Sequence, residues 1–310
     1  MKKALYFVLL SFTFLFILTG CKTKKNVDII STCFAGYDFA KGIAKDKLEC
    51  DMLLEPGEEL HDYSPSVGDI ERILNSKIFI YIGGESDSEW VEKQILTQIK
   101  NDKITIINMM DVLEDNLYYE EDPEENETED EYDEHVWTSI TNAKILVNSI
   151  YEEIVKIDSE NTSSYTTNKD NYISELDKID NSIKEVINST TKRLLVFADR
   201  FPLLYFIKEY NLEYDAACSG CESAKEANPK TIERLIKKVK DNDLKVIFVI
   251  ELSESKIADT IISDLKGNGI TVSKKTFYSM HNVSKDDYKN GLTYIDYMNM
   301  NIESLKEALK

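Results

Sequence analysis

The stretch 139–190 reads SITNAKILVNSIYEEIVKIDSENTSSYTTNKDNYISELDKIDNSIKEVINST and contains neither proline nor glycine. Ile145, Val147, Ile150, Ile154 and Ile157 share one helical face. Tyr172, Leu176, Ile179, Ile183 and Ile187 form a second at steps of three and four. The Ser, Thr and Asn content over 159–167 marks the place for a break. Residues 139–192 therefore read as a long, stiff helical connector, which argues against a wide hinge closure.

Outward from this connector, both flanks carry the same pattern. On the N-terminal side, apolar β-branched runs recur at Val27–Cys33, Leu48–Leu54, Lys77–Gly83 and Ile104–Met110. Helical periodicity lies between them at Ser66–Leu74 and Glu89–Lys100. On the C-terminal side the runs are Arg193–Asp199, Leu212–Cys218, Leu244–Glu251 and Ile270–Tyr278, with helices expected at Pro202–Tyr210, Lys230–Asp241 and Lys256–Lys266. Short buried runs alternating with helices specify an α/β fold with mostly parallel sheets. The expectation is two lobes, 27–138 and 193–310, joined by a long rigid helix.

The 310 residues carry 37 Lys and Arg against 57 Asp and Glu, a formal charge of −20. So acidic a surface repels phosphate backbones, which excludes a nucleic-acid partner. A hydrophobic content of 42% excludes a wholly disordered acidic chain.

Residues 1–20 stand apart from the fold. Lys2 and Lys3 precede an apolar run, Ala4–Leu18, that is shorter than the ~20 residues needed to span a bilayer. The run ends in Leu18-Thr19-Gly20-Cys21, which resembles a bacterial lipobox. That resemblance implies a signal peptide over 1–20, cleavage before Cys21, lipid attachment there, and a tether over 21–26. The protein is then expected on the extracytoplasmic face of a bacterial cell membrane, with the formal charge moving from −20 to −22 as Lys2 and Lys3 are lost. Cys33, Cys50, Cys218 and Cys221 remain. Cys218-x-x-Cys221 is half of a four-thiolate zinc site and has no matching second pair, so a local disulfide or two ordinary thiols is the expectation.

Only three histidines exist, and each falls at a strand-end or loop position. His61 follows the second strand in a segment ending Ser64-Pro65-Ser66-Val67-Gly68-Asp69, a helix start. His135 lies in Asp133-Glu134-His135-Val136-Trp137, directly before the connector. His281 lies in Tyr278-Ser279-Met280-His281-Asn282, after the last strand of the second lobe. Loops at strand ends of open α/β sheets are where binding sites gather, and neutral imidazole is the commonest metal ligand.

The run Gly57-x-x-x-His61-x-Tyr63-x-Pro65-x-x-x-Asp69-Ile70, with Asp133-x-His135-x-Trp137, resembles the metal-binding lipoproteins of bacterial ABC transporters for zinc and manganese. The similarity extends to Thr32–Phe39 and to a closing helix over 301–309. It implies a metal held in the cleft between the lobes by four side chains from four loops. His61 and His135 match the first two ligand positions. For the third, Phe197–Phe206 offers no histidine, and Asp199 is the residue there with a suitable oxygen; capping of the following helix is its alternative role. For the fourth, Tyr278 stands in the family register and His281, three residues on, is the better donor. The set His61, His135, Asp199 and His281 favours Zn²⁺ over Mn²⁺, which prefers more oxygen ligands.

The implied function is a zinc-binding receptor that delivers its ion to an ABC permease with a separate ATPase, since no Gly-x-x-x-x-Gly-Lys-Ser/Thr is present. A monomer is expected. A manganese receptor, or a surface adhesin that binds metal, is the alternative. Enzymatic activity is not expected: there is no His-Glu-x-x-His and no acid or base paired with the histidines. Thirteen Asp or Glu crowd residues 114–134 without one Lys or Arg, which predicts a mobile acidic loop. That loop either gathers cations at the cleft mouth or is a solvated insertion.

Overall fold

The computed structural model describes residues 27–61, 63–99, 103–121, 128–218 and 228–310. The segments expected as a signal peptide and as a tether with Cys21 lie outside the described residues, as does Cys221.

In the first lobe, β1 (Ile29–Ser31), α1 (Phe34–Ala44), β2 (Cys50–Met52), α2 (Val67–Leu74), β3 (Ile78–Tyr81) and β4 (Thr105–Asn108) build a parallel sheet of order β2-β1-β3-β4. Ser66 caps α2 through a reciprocal pair with Asp69, as the sequence of that segment predicts. The stretch expected as a helix over Glu89–Lys100 is irregular instead. A turn of α-helix at Ser88–Trp90 widens into a π-helical turn at Val91–Ile95 and tightens at Leu96–Gln98. Trp90, Val91 and Ile95 are buried against Phe79 and Tyr81, and this apolar packing overrides the regular period.

In the second lobe, β7 (Leu194–Phe197), α5 (Leu204–Tyr210), β8 (Glu213–Ala216), α6 (Pro229–Asp241), β9 (Val246–Val249), α7 (Lys256–Gly267) and β10 (Ser273–Thr276) repeat the plan, with order β10-β9-β7-β8. The closing helices are α8 (Lys285–Asn290) and α9 (Tyr294–Ala308). All eight strands expected from the sequence are present, within trimmed boundaries.

The connector is two helices. Helix α3 (Ile140–Ile157) and the 27-residue α4 (Thr162–Asn188) pack on each other across a turn at Ser159–Asn161. At 1.5 Å per residue α4 is about 40 Å long. It rests on α1 of the first lobe and α9 of the second. Gly42 makes the first contact possible: a Cβ there would stand 2.6 Å from the Tyr172 ring.

One hydrophobic core runs unbroken through both lobes and the connector. Phe34 and Phe39 of α1 meet Tyr297 and Tyr294 of α9 at ring separations of 5.8 and 5.0 Å. Among these rings, Asp38 is buried and accepts hydrogen bonds from Tyr172 Oη at 2.6 Å and the Tyr294 amide at 3.2 Å. It thereby ties α1, α4 and α9 together. Burial pushes its carboxyl up to about 6, against the partial relief of those two hydrogen bonds. A carboxyl whose folded pKa is raised stabilises the fold fully below about pH 4, and that contribution is lost as pH rises through 6. Asp38→Asn keeps an acceptor without the charge. Its stability relative to the parent should rise between pH 4 and 7, by an amount approaching about 2–3 kcal/mol. Urea unfolding at the two pH values checks this, and an unchanged difference would refute it.

Among the described residues, no helix is long and apolar enough to cross a membrane. Cys33 and Cys50 are buried thiols rather than partners in a disulfide, and burial pushes both up to about 12.

Candidate metal centre

The sheets end in loops that converge from both lobes on one point. His61 comes from the loop after β2, His135 from the turn before α3, and His281 from the loop after β10. One donor atom from each, with one carboxylate oxygen of Glu134, lies within 4.8 Å of every other. The three histidine rings are edge-on, with His61–His281 and His135–His281 centroids both 5.2 Å apart. All three predicted histidines are therefore brought together, and His281 rather than Tyr278 faces the cluster.

Each donor is held in place by the sequence around it. His135 is fully buried. Asp133 Oδ1 accepts from its backbone amide at 2.8 Å and lies 3.2 Å from Nδ1, which fixes the ring and turns Nε2 toward the cluster. Trp137, two residues on, packs at 5.4 Å from His135 and 5.6 Å from His281, and its Nε1 donates to the Ser279 carbonyl at 2.7 Å. Ser86 Oγ lies 2.9 Å from His61 Nδ1 and also hydrogen-bonds Glu134 Oε1, while the Ser86 amide donates to Glu134 Oε2 at 2.9 Å. Gly84 opens the space that the Glu134 side chain occupies, since a Cβ on Gly84 would fall 2.3 Å from Glu134 Cβ. On the other side, half-buried Glu251 accepts from Ser279 N at 2.7 Å and Ser279 Oγ at 2.6 Å, and so shapes the loop that presents His281.

The electrostatics suit a cation. His281 Nε2 is buried without a hydrogen-bond partner. Burial first, then the neighbouring imidazoles of His135 and His61, holds His281 well below the usual histidine range and leaves its ring neutral, with a lone pair to give. Burial raises the Glu134 carboxyl, a cost that His135 and Ser86 partly offset and that a bound cation would remove. Four ligands at about 2.0–2.2 Å from one ion stand at most roughly 4 Å apart, so the group needs only a slight contraction to close on it.

Asp199 is not in this group. Its carboxylate accepts from its neighbour's amide, Arg200 N, at 2.9 Å and from Ile250 N at 3.3 Å, binding the ends of β7 and β9 together. The carboxylate oxygen of the donor set comes instead from Glu134, which in the sequence is one of thirteen charges in an acidic run. Its adjacency to His135 was the available signal.

Of the acidic run, residues 122–127 lie outside the described residues, and the described stretches on either side of them pair with each other. Tyr119–Glu121 and Thr128–Tyr132 pair as an antiparallel two-stranded sheet, β5 and β6, with Tyr119 and Tyr132 stacked at 4.3 Å. Its base is fixed by Tyr118 N donating to Tyr205 Oη at 3.2 Å and Tyr205 Oη donating to the Asp133 carbonyl at 2.8 Å. Aromatic pairing at the base supplies what the charges lack.

A family model described as the periplasmic component A of zinc-uptake complexes matches residues 29–308. The high-affinity zinc uptake system protein ZnuA of Bacillus subtilis is 27% identical over 292 residues, covering 92% of this chain and 88% of that one. The zinc-binding lipoprotein AdcA of Streptococcus pneumoniae is 26% identical over 299 residues, which span 94% of this chain but 58% of the relative. Among solved structures, the metal-dependent lipoprotein YcdH of Bacillus subtilis superposes with a TM-score of 0.77 at 27% identity, covering 92% of this chain and all of that one.

Proposed function

Because the chain belongs to the family of periplasmic component A proteins of zinc-uptake complexes, we infer that it is the extracytoplasmic receptor of an ABC importer, with Zn²⁺ as its cargo. The observation that carries this reading is the convergence of His61, His135, His281 and Glu134, donated by loops of both lobes, around the unpartnered Nε2 of His281. Three imidazoles and one carboxylate form a donor set that Zn²⁺ favours, whereas Mn²⁺ prefers more oxygen. The ion is passed on unchanged, and the protein itself makes and breaks no covalent bond. Delivery is to a membrane permease driven by a separate ATPase, by a monomer that Cys21 anchors through lipid.

Metal content of the purified protein, followed by titration of Zn²⁺ and Mn²⁺ into the chelated form, tests the cargo. The expected result is one tight site per chain that takes Zn²⁺ in preference to Mn²⁺; a Mn²⁺ preference would overturn the zinc assignment. The ligand set is tested in the same titration by two substitutions. Glu134→Gln should weaken Zn²⁺ binding by at least about tenfold, and Asp199→Asn should leave it near the parent value. The reverse order would restore Asp199 to the site and remove Glu134.

A further inference from the structure

The loop that carries His61 is not held by its own lobe alone. Glu59, two residues before the ligand, receives a hydrogen bond from Arg200 Nη2 of the second lobe at 2.5 Å. Asn282, the residue after His281, reaches the same loop through Nδ2 to the carbonyls of Glu55 and Glu58. Arg200, Glu59, Glu251, His281 and Asn282 line one small cavity beside the donor cluster. His61 is also the most accessible donor, its side chain 19% exposed where the other three donor residues are buried. It is thus the donor that solvent reaches most readily.

We propose that Arg200 is a positioning residue whose ion pair with Glu59 latches the His61 loop to the second lobe and sets how long the bound metal stays. This rests on the reading of the site as a Zn²⁺ receptor. Arg200 directly follows Asp199, the second-lobe residue expected as the third ligand, and its guanidinium reaches Glu59 of the first lobe. Both partners are partly shielded, with side-chain exposures of 19% and 33%, so the pair is neither fully screened nor costly to desolvate. Opening the cleft must break it, whereas an ion approaching an already open cleft does not meet it. The latch therefore acts on release more than on capture.

The test uses the full chain loaded with Zn²⁺ and mixed rapidly with excess chelator. Arg200→Ala and Glu59→Gln should each speed release about three- to tenfold. The double variant should be no faster than the quicker single one, because both remove the same contact. Arg200→Lys should recover part of the slow release, and the exchange Glu59→Arg with Arg200→Glu should recover more than either reversed charge alone. Raising ionic strength should speed release from the parent and not from Arg200→Ala. Release rates within about 1.5-fold of the parent, or single effects that multiply in the double variant, overturn the latch. A parent that binds no Zn²⁺ overturns the receptor reading itself, and the two failures are told apart by that control. Thermal unfolding of the metal-free variants, expected to match the parent, separates the latch from a general loss of stability.

Discussion

His135→Ala should reduce Zn²⁺ affinity by two to three orders of magnitude. Structural zinc sites hold their ion with roughly 10–16 kcal/mol shared among four ligands, so the loss of one donor removes about 3–4 kcal/mol, or ~10²–10³ in Kd. His135 is the donor for which substitution by water is least effective. It is fully buried, its ring is set by Asp133, and it is walled by Trp137 on one side and His281 on the other. Truncation also leaves the buried Asp133 carboxylate without its imidazole partner, although the Asp133 contact to the backbone amide at position 135 survives. Competition titration against a chelator of known affinity measures the change, with circular dichroism confirming the fold. An affinity within threefold of the parent would mean that the ion is not held at this cluster.

Trp137→Ala has the largest expected effect on stability. The indole is completely buried and belongs to the core shared by the lobes and the connector. Its Nε1 bonds the Ser279 carbonyl of the second lobe, and its own carbonyl accepts from Tyr294 Oη at 2.7 Å. Large-to-alanine changes at such positions cost about 3–5 kcal/mol, and the orphaned Ser279 carbonyl adds about 1 kcal/mol. Metal affinity should fall as well, since Trp137 buttresses two of the imidazoles. Trp137→Phe serves as the comparison, because it retains most of the volume and loses only the hydrogen bond. Denaturant unfolding decides, and a loss below about 1 kcal/mol for the alanine variant would contradict the role given to this side chain.

The fold was legible because parallel strands buried on both faces leave continuous apolar runs, and the short, β-branched runs at Lys77–Gly83 and Leu244–Glu251 fit that reading. The three histidines were legible for a different reason. They are the only ones in the chain, and each follows a strand or precedes a helix where loops converge. What escaped was whatever depends on the direction of a side chain. Asp199 and Arg200 are neighbours at the end of β7. Sequence chemistry favours the carboxylate as ligand, yet the backbone turns that carboxylate back onto Ile250 and sends the guanidinium across the cleft. Glu134 escaped because charge counting treats an acidic run as uniformly solvated, whereas this member is buried between Ser86 and the imidazoles. The irregular helix at Ser88–Gln98 escaped because tertiary packing of Trp90 and Ile95, absent from any periodicity, sets its pitch.

The pairing of α1 with α9 bears on how the chain acquires its shape in time. The rings that complete the packing around Phe34 and Phe39 are Tyr297 and Tyr294, more than 250 positions further along the chain. Loop closure over that distance is slow compared with strand pairing inside either lobe. A polypeptide that emerges N-terminus first presents an incomplete first lobe, with an open aromatic face, until α9 arrives to cover it. The first lobe is therefore the earlier to appear, yet its aromatic face is covered only when the last helix has been made.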